Sequence, residues 1–303
     1  MASPTLPQGK RIQEPDDVVC AFEQHGYITD AALATVIFLG AKLGKPVLLE
    51  GHAGLGKTEV AKVLAAFLGV PLIRLQCYEG LDINSAVYEW NYQKPLLAIK
   101  IEEGTGQSVE EKEKHIFGRE FLLERPLLQA IQSEHVSPVL LVDEVDRADE
   151  AFEAFLLELL SDFQISIPEF GTIRAKHLPH VILTSNRSRE LSDALKRRCL
   201  YHWIEYPTLE KELKIVSARL SGIEQELSKQ LVSFVQSVRN LHLNKSPGVA
   251  ETLDWAQALM SLGKHKLDQE SVEATLGCLA KSVEDGAKIK GAGVEKMISQ
   301  AGS

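Results

Sequence analysis

The chain has 303 residues, 45% of them hydrophobic and 25% charged, with a formal net charge of −9 from 33 basic and 42 acidic side chains. That length suggests about two domains, and the composition suits a soluble globular protein with a sizeable core. The acidic balance argues against a broad nucleic-acid surface, and no apolar run approaches the roughly 20 residues of a membrane helix. Cys20, Cys77, Cys199 and Cys278 lie far apart with no metal-ligand spacing. They read as reduced thiols in a cytoplasmic protein. The histidines show no zinc-type pairing either.

In chain order, residues 1–16 read as a flexible, polar lead-in with no signal-peptide core. Helices are predicted over 17–25 and 30–43, with a short turn at Gly26, Tyr27 and Ile28 between them. Pro46 to Glu50 is a short apolar run, as a buried strand requires, and Glu59 to Leu68 has helical spacing. Pro71 to Gln76 reads as a second strand. Residues 87–101 are less regular, and the acidic stretch 102–114 reads as an insertion, so that an insert is placed at about 88–121. A helix follows Pro126. Val139–Val142 is a buried strand, and 151–163 an amphipathic helix. Residues 164–175 alternate around Phe170 and Gly171 as a hairpin does. A strand at 181–184, a short helix at 191–198 and a strand at 200–204 close this unit. After Pro207 the pattern turns wholly helical, over 209–220, 225–241, 249–262 and 271–281, and the tail beyond Asp285, rich in Gly, Ala and Lys, reads as loose. The expected fold is α/β: a P-loop core with a parallel sheet between helices over 17–206, then a smaller all-helical domain over 207–303.

Residues 51–58 (Gly51, His52, Ala53, Gly54, Leu55, Gly56, Lys57, Thr58) form a complete P-loop. The glycines let backbone amides face phosphate oxygens. Lys57 supplies charge to the β- and γ-phosphates, and Thr58 offers a hydroxyl to Mg²⁺. A strand before the loop and a helix after it, starting with Glu59, put a helix N-terminus at the phosphates. Asp143 and Glu144 follow a buried strand: the first can support Mg²⁺ through water, the second can orient and deprotonate an attacking water. Asp146 and Arg147 continue this run, as a supporting ion pair or as a contact to a neighbouring subunit. Asn186, after Ser185, ends a later strand and can hydrogen-bond the γ-phosphate or the lytic water without electrostatic repulsion, unless it merely caps a turn. Lys196, Arg197 and Arg198 close a short helix. They either compensate its dipole or supply an arginine finger to an adjacent subunit, with Arg198 ahead of Arg197.

Taken together these elements resemble an AAA+ ATPase. The insert near 88–121 and the hairpin at 164–175 resemble the helix-2 insert and pre-sensor-1 hairpin of the MoxR branch. Segments 74–82, 87–97, 153–164, 184–191, 193–204 and 246–256 resemble its CoxD subgroup. The resemblance implies an ATP- and Mg²⁺-dependent, chaperone-like machine. It implies a hexameric ring, a partner with a von Willebrand factor A domain, and a client metalloenzyme such as a molybdenum- and copper-containing carbon monoxide dehydrogenase. It further implies that Tyr27 and Ile28 line the adenine pocket, that Asn186 is sensor 1 and that Arg198 is the finger. Many members carry a sensor-2 arginine after the Ser-Pro of the lid helix. Here Ser246 and Pro247 are followed by Gly248, and Lys245, the nearby cation, lacks the guanidinium fork. A nucleotide-gated interaction module with little turnover is the alternative. A DNA-dependent motor fits the acidic balance poorly. Trp90 and Tyr92 in the insert either grip a partner or pack, and Phe170 either projects from its hairpin or packs it onto the core.

Overall fold

The computed structural model describes residues 12–90, 122–167 and 171–302. Five strands form one parallel sheet in the order β2-β5-β8-β1-β9: β1 (Val47–Gly51), β2 (Leu72–Gln76), β5 (Val139–Asp143), β8 (His180–Ser185) and β9 (Leu200–Ile204). β1, β5 and β8 are central. Their sequences are near-continuous apolar runs because helices cover both faces. Alternation along each strand divides the core in two. Leu48, Leu140, Val142, Val181 and Leu183 face one cluster, and Val47, Leu49, Val139, Leu141 and Ile182 the other.

The second face is covered by α1 (Pro15–Gln24), α2 (Ala31–Leu43) and α3 (Lys57–Leu68). α1 opens at Pro15, two residues before the expected start, because proline suits a first turn whose amide has no helical partner. Asp30 caps α2 by accepting from the Leu33 amide at 2.9 Å. The first face is covered by α4 (Ile83–Val87), α5 (Pro126–Ile131) and α6 (Glu150–Asp162), with Leu127, Leu128, Phe152 and Leu156 fully buried. Fully burying one such side chain contributes about 1.5–3 kcal/mol.

β3 (Tyr88–Trp90) pairs antiparallel with β4 (Leu122–Glu124), so a two-stranded ribbon forms the base of the expected insert. Residues 91–121, Tyr92 among them, and the Trp90 side chain lie outside the described residues, as does Phe170. The hairpin forms as expected, β6 (Gln164–Ile167) against β7 (Gly171–Arg174), with Gln164 opposite Arg174.

α7 (Asp193–Arg198) is capped by Ser192 and leads into β9. Beyond Pro207 come α8 (Leu209–Arg219), α9 (Gln225–Arg239), α10 (Val249–Ser261) and α11 (Gln269–Thr275), around the fully buried Trp255 and Phe234. α11 stops short of the expected span, passing into a 3₁₀ turn at Leu276–Cys278. The tail is not loose. α12 (Val283–Gly291) and α13 (Val294–Ala301) bury Ile289, Val294 and Met297 against the same cluster. At its heart Arg239 holds the fully buried Glu212 with two bonds of 2.6 and 2.7 Å, and Thr252 and Gln236 satisfy the remaining lone pairs. A buried charge is tolerated only when it is paired and hydrogen-bonded in this way.

Candidate nucleotide site

The site lies at the carboxyl end of the sheet, where β1, β5 and β8 release their loops. Gly56 starts α3 in a left-handed conformation (φ 84°), a backbone that glycine adopts without penalty. This aims the helix N-terminus and its free amides into a cavity of about 370 Å³. The cavity wall contains Ala53 through Glu59 of the loop, Asp143, Glu144 and Asn186 from the sheet, and Tyr27 and Ile28 from the turn before α2. Gly51 and His52 do not reach the wall. Their carbonyls accept from Lys57 Nζ at 2.7 and 2.6 Å, and the His52 ring stacks on Tyr206. Burial lowers the Lys57 pKa from 10.5 to about 8, against the opposing pull of Asp146, Asp143, Glu144 and Glu50. Burial likewise raises the Tyr27 phenol far above its ordinary range, so it stays neutral, with its ring edge-on to Phe22.

Asp143 is almost wholly buried at the end of β5. Its Oδ1 accepts from Thr58 Oγ1 at 2.9 Å and from Thr184 Oγ1 at 2.6 Å. A hydroxyl and a carboxylate in contact are hard oxygen donors of the kind Mg²⁺ takes from proteins when phosphates and water complete its shell. Among the described residues no cluster of three or more His, Cys, Asp or Glu could hold a metal.

Glu144 stands in a left-handed backbone (φ 54°), unusual for a side-chain-bearing residue and a local strain of about 1 kcal/mol or more. Its amide donates to Thr184 Oγ1 at 2.9 Å. Its carboxylate accepts from Asn186 Nδ2 at 3.1 Å and Gln76 Nε2 at 3.3 Å, and Arg147 lies 3.4 Å away. Asp146 does not pair with Arg147. It is buried and accepts from the Asn186 amide (3.2 Å), the Ser188 amide (2.7 Å) and Ser188 Oγ (2.6 Å), so it fixes the loop that presents Asn186. Arg198 is not in the cavity wall. It is exposed on α7, where Nε donates to Ser161 Oγ at 2.6 Å, and Arg197 beside it is also exposed.

The helical region closes the cavity from above. The Ala250 amide, at the start of α10, donates to Gly54 O at 2.9 Å. A Cβ on Gly248 would lie 2.7 Å from Ala53 O, so only glycine allows this approach. Lys211 pairs with Asp30 at 2.7 Å and Arg219 with Glu59 at 2.6 Å, and both cations line the cavity. The bonds from Arg219 and Lys62 hold the Glu59 carboxyl below its usual range although burial works the other way. Lys245 is not in the wall; its amide is held by Asp285. Sequence reasoning missed Arg74, Gln76, Thr184, Lys211 and Arg219. None belongs to a local motif; Arg74 and Gln76 come from β2, Thr184 from β8, and Lys211 and Arg219 from α8.

Residues 46–199 match the AAA domain (dynein-related subfamily). Similar proteins include an uncharacterized protein of Staphylococcus epidermidis, 24% identical over 73% of this chain and 78% of that protein. One of Staphylococcus haemolyticus is 24% identical over 73% of this chain and 77% of its own. Among solved structures, the Thermotoga maritima RuvB Holliday junction branch migration motor aligns with a TM-score of 0.44 at 17% identity, over 89% of this chain and 69% of that one. A mutant of the same protein gives 0.46 at 18%, over 90% and 69%. No helix among the described residues is long and apolar enough to cross a membrane.

Proposed function

The chain belongs to the AAA domain family, dynein-related subfamily, and on that premise we propose that it hydrolyses ATP to ADP and phosphate. The observation that carries this is the convergence of Lys57, Thr58, Asp143, Glu144 and Asn186 on one cavity from three separate segments of chain. Lys57 gives up its carbonyl partners for the β- and γ-phosphate oxygens, and the amides of the loop bind the same anion. Thr58 and Asp143 would hold Mg²⁺, which when bound would screen the phosphate charge. Glu144 takes the proton of the attacking water, and Asn186 positions that water or the γ-phosphate. Asn186 and Gln76 hold the Glu144 carboxylate, and the base would be freed as the phosphate draws Asn186 away. Tyr27 and Ile28 supply the adenine end.

The finer reading is a MoxR-type remodeller of the CoxD subgroup, which acts with a von Willebrand factor A domain partner on a metalloenzyme being assembled. The sequence segments similar to that subgroup support it. In this reading residues 17–206 form the nucleotide-binding domain and 207–303 a lid. The protein is a ring, hexameric by analogy with the subgroup, and Arg198 reaches the neighbour's γ-phosphate. The exposure of Arg198, off its own cavity, suits a residue that acts in trans. A second reading, in which ATP sets assembly with little turnover, draws support from Gly248, which leaves the sensor-2 position without a cation.

The test is Glu144→Gln. Removal of the base is expected to lower turnover by about 10²–10⁴-fold while ATP binding persists, read by phosphate release and by nucleotide retained through gel filtration. Unchanged turnover would remove Glu144 from the mechanism. Bound ATP without turnover in the parent protein would favour the second reading.

A further inference from the structure

Asp143 has a partner that the hydrolytic reading does not use. Arg74, on β2, donates to Asp143 Oδ2 through Nε at 3.1 Å and through the terminal Nη2 at 2.6 Å, while Nη2 also meets Gln76 Oε1 at 2.5 Å. The register explains the reach: Gln76 stands opposite Asp143, and Arg74 sits two residues earlier on the same strand and face. The Asp143 side chain is 3% exposed and that of Arg74 49%. A nearly buried carboxylate is thus neutralised by a half-exposed cation that can swing into solvent. Oδ1 is already taken by the Thr58 and Thr184 hydroxyls. Oδ2 is therefore the oxygen left for a metal-bound water, and Arg74 covers it.

We propose that Arg74 is a positioning residue that holds Asp143 and competes with magnesium for it. The inference rests on the ATP-binding reading of the cavity. Without its guanidinium, the buried Asp143 would lose, among the described residues, the one cation bonded to it and keep only the through-space charge of Lys57, which is unfavourable. With it, the Asp143 charge is offset, and a divalent ion that uses Oδ2 must displace the arginine. The free ion is thereby held off until a triphosphate helps to bind it.

The experiment uses the full-length chain and a fluorescent ATP analogue, titrated first in excess EDTA and then across a magnesium series. Arg74→Gln is expected to lower the half-saturating magnesium concentration about tenfold, the scale of one charge-assisted hydrogen bond. Affinity in EDTA should stay within about twofold of the parent on the same scale. Arg74→Lys keeps the charge but loses the two-nitrogen grip, and should shift in the same direction by about threefold. In an Asp143→Asn background the Arg74 substitutions should have no effect on the magnesium dependence. Unchanged half-saturation in both Arg74 variants, with ATP still bound, overturns the proposal. So does a loss of affinity in EDTA with no magnesium shift, which would make Arg74 a phosphate contact instead. If melting curves show that Arg74→Gln does not fold, Arg74→Lys alone decides by the same criterion. Failure of the parent protein to bind the analogue at all defeats the ATP reading, and with it this one, and is a different result from equal magnesium curves.

Discussion

At the scale of single residues, Lys57 makes the sharpest demand. Burial brings its pKa down from 10.5 to about 8, whereas a bound triphosphate would hold it protonated. Below pH 8 the lysine is charged in both states and contributes no pH dependence. Above pH 8 binding must take up a proton, so ATP affinity falls by up to tenfold for each further pH unit. Folding stability runs the other way. The unfolded chain holds more protons between pH 8 and 10.5, so this group makes folding more favourable as pH rises through that window. Calorimetry in two buffers of different ionisation enthalpy should find little proton uptake on ATP binding at pH 7 and close to one proton at pH 9. Equal uptake at both would show that the charge is not perturbed. That Lys57, Thr58, Asp143 and Glu144 would share one cavity was legible from sequence because short motifs lie on predictable elements. The left-handed backbone of Glu144 and the grip of Arg74 on Asp143 were not, since neither leaves a pattern along the chain.

At the scale of elements, the telling contact is the start of α10 on the phosphate loop. The Gly248 φ of −83° is ordinary for any residue, so its constraint is space alone. A Cβ there would meet Ala53 O at 2.7 Å and the Gly54 backbone at 3.0 Å, and neither is a flexible side-chain tip. Gly248→Ala is expected to push α10 off the loop at a cost of about 1–3 kcal/mol. If docked α10 completes the nucleotide site, ATP affinity should fall by about tenfold, for a loss near the lower end of that range. Hydrogen exchange should accelerate at the Ala250 amide, which bonds Gly54 O. Unaltered affinity would mean that this docking is dispensable. The sequence places Gly248 after Ser246 and Pro247 but does not reveal this close approach of two backbones, because a distance of that kind belongs to packing. The last two helices were hidden for a related reason. Their Gly, Ala and Lys content masks a single apolar edge, Ile289, Val294 and Met297, that becomes meaningful only against α9 and α11.

At the scale of the molecule, the cavity is walled by the sheet unit and the helical region together, through Lys211 to Asp30 and Arg219 to Glu59. These ion pairs are partly exposed, each worth about 0–1 kcal/mol, so together they bias closure without locking it. On the proposed reading, a change at the phosphates would shift the helices, and in the proposed ring that shift would pass to the neighbour. The alternation of strand and helix made the α/β class and its helical successor readable at this scale, whereas a subunit junction has no signature within one chain. Arg198 carries the test. It is exposed on α7, bonded to Ser161, and absent from the wall of its own cavity. Arg198→Ala and Lys57→Ala should each be nearly inactive alone, the first for want of a finger and the second for want of a phosphate ligand. When the two are mixed and allowed to exchange subunits, a pocket from the first variant can meet the arginine of the second. In a random one-to-one assembly about a quarter of the junctions of a cyclic ring are of that kind. ATPase activity should then rise from near zero toward about a quarter of the parent rate. A mixture no more active than its components would place Arg198 outside the reaction, leaving it as the charged end of a short helix.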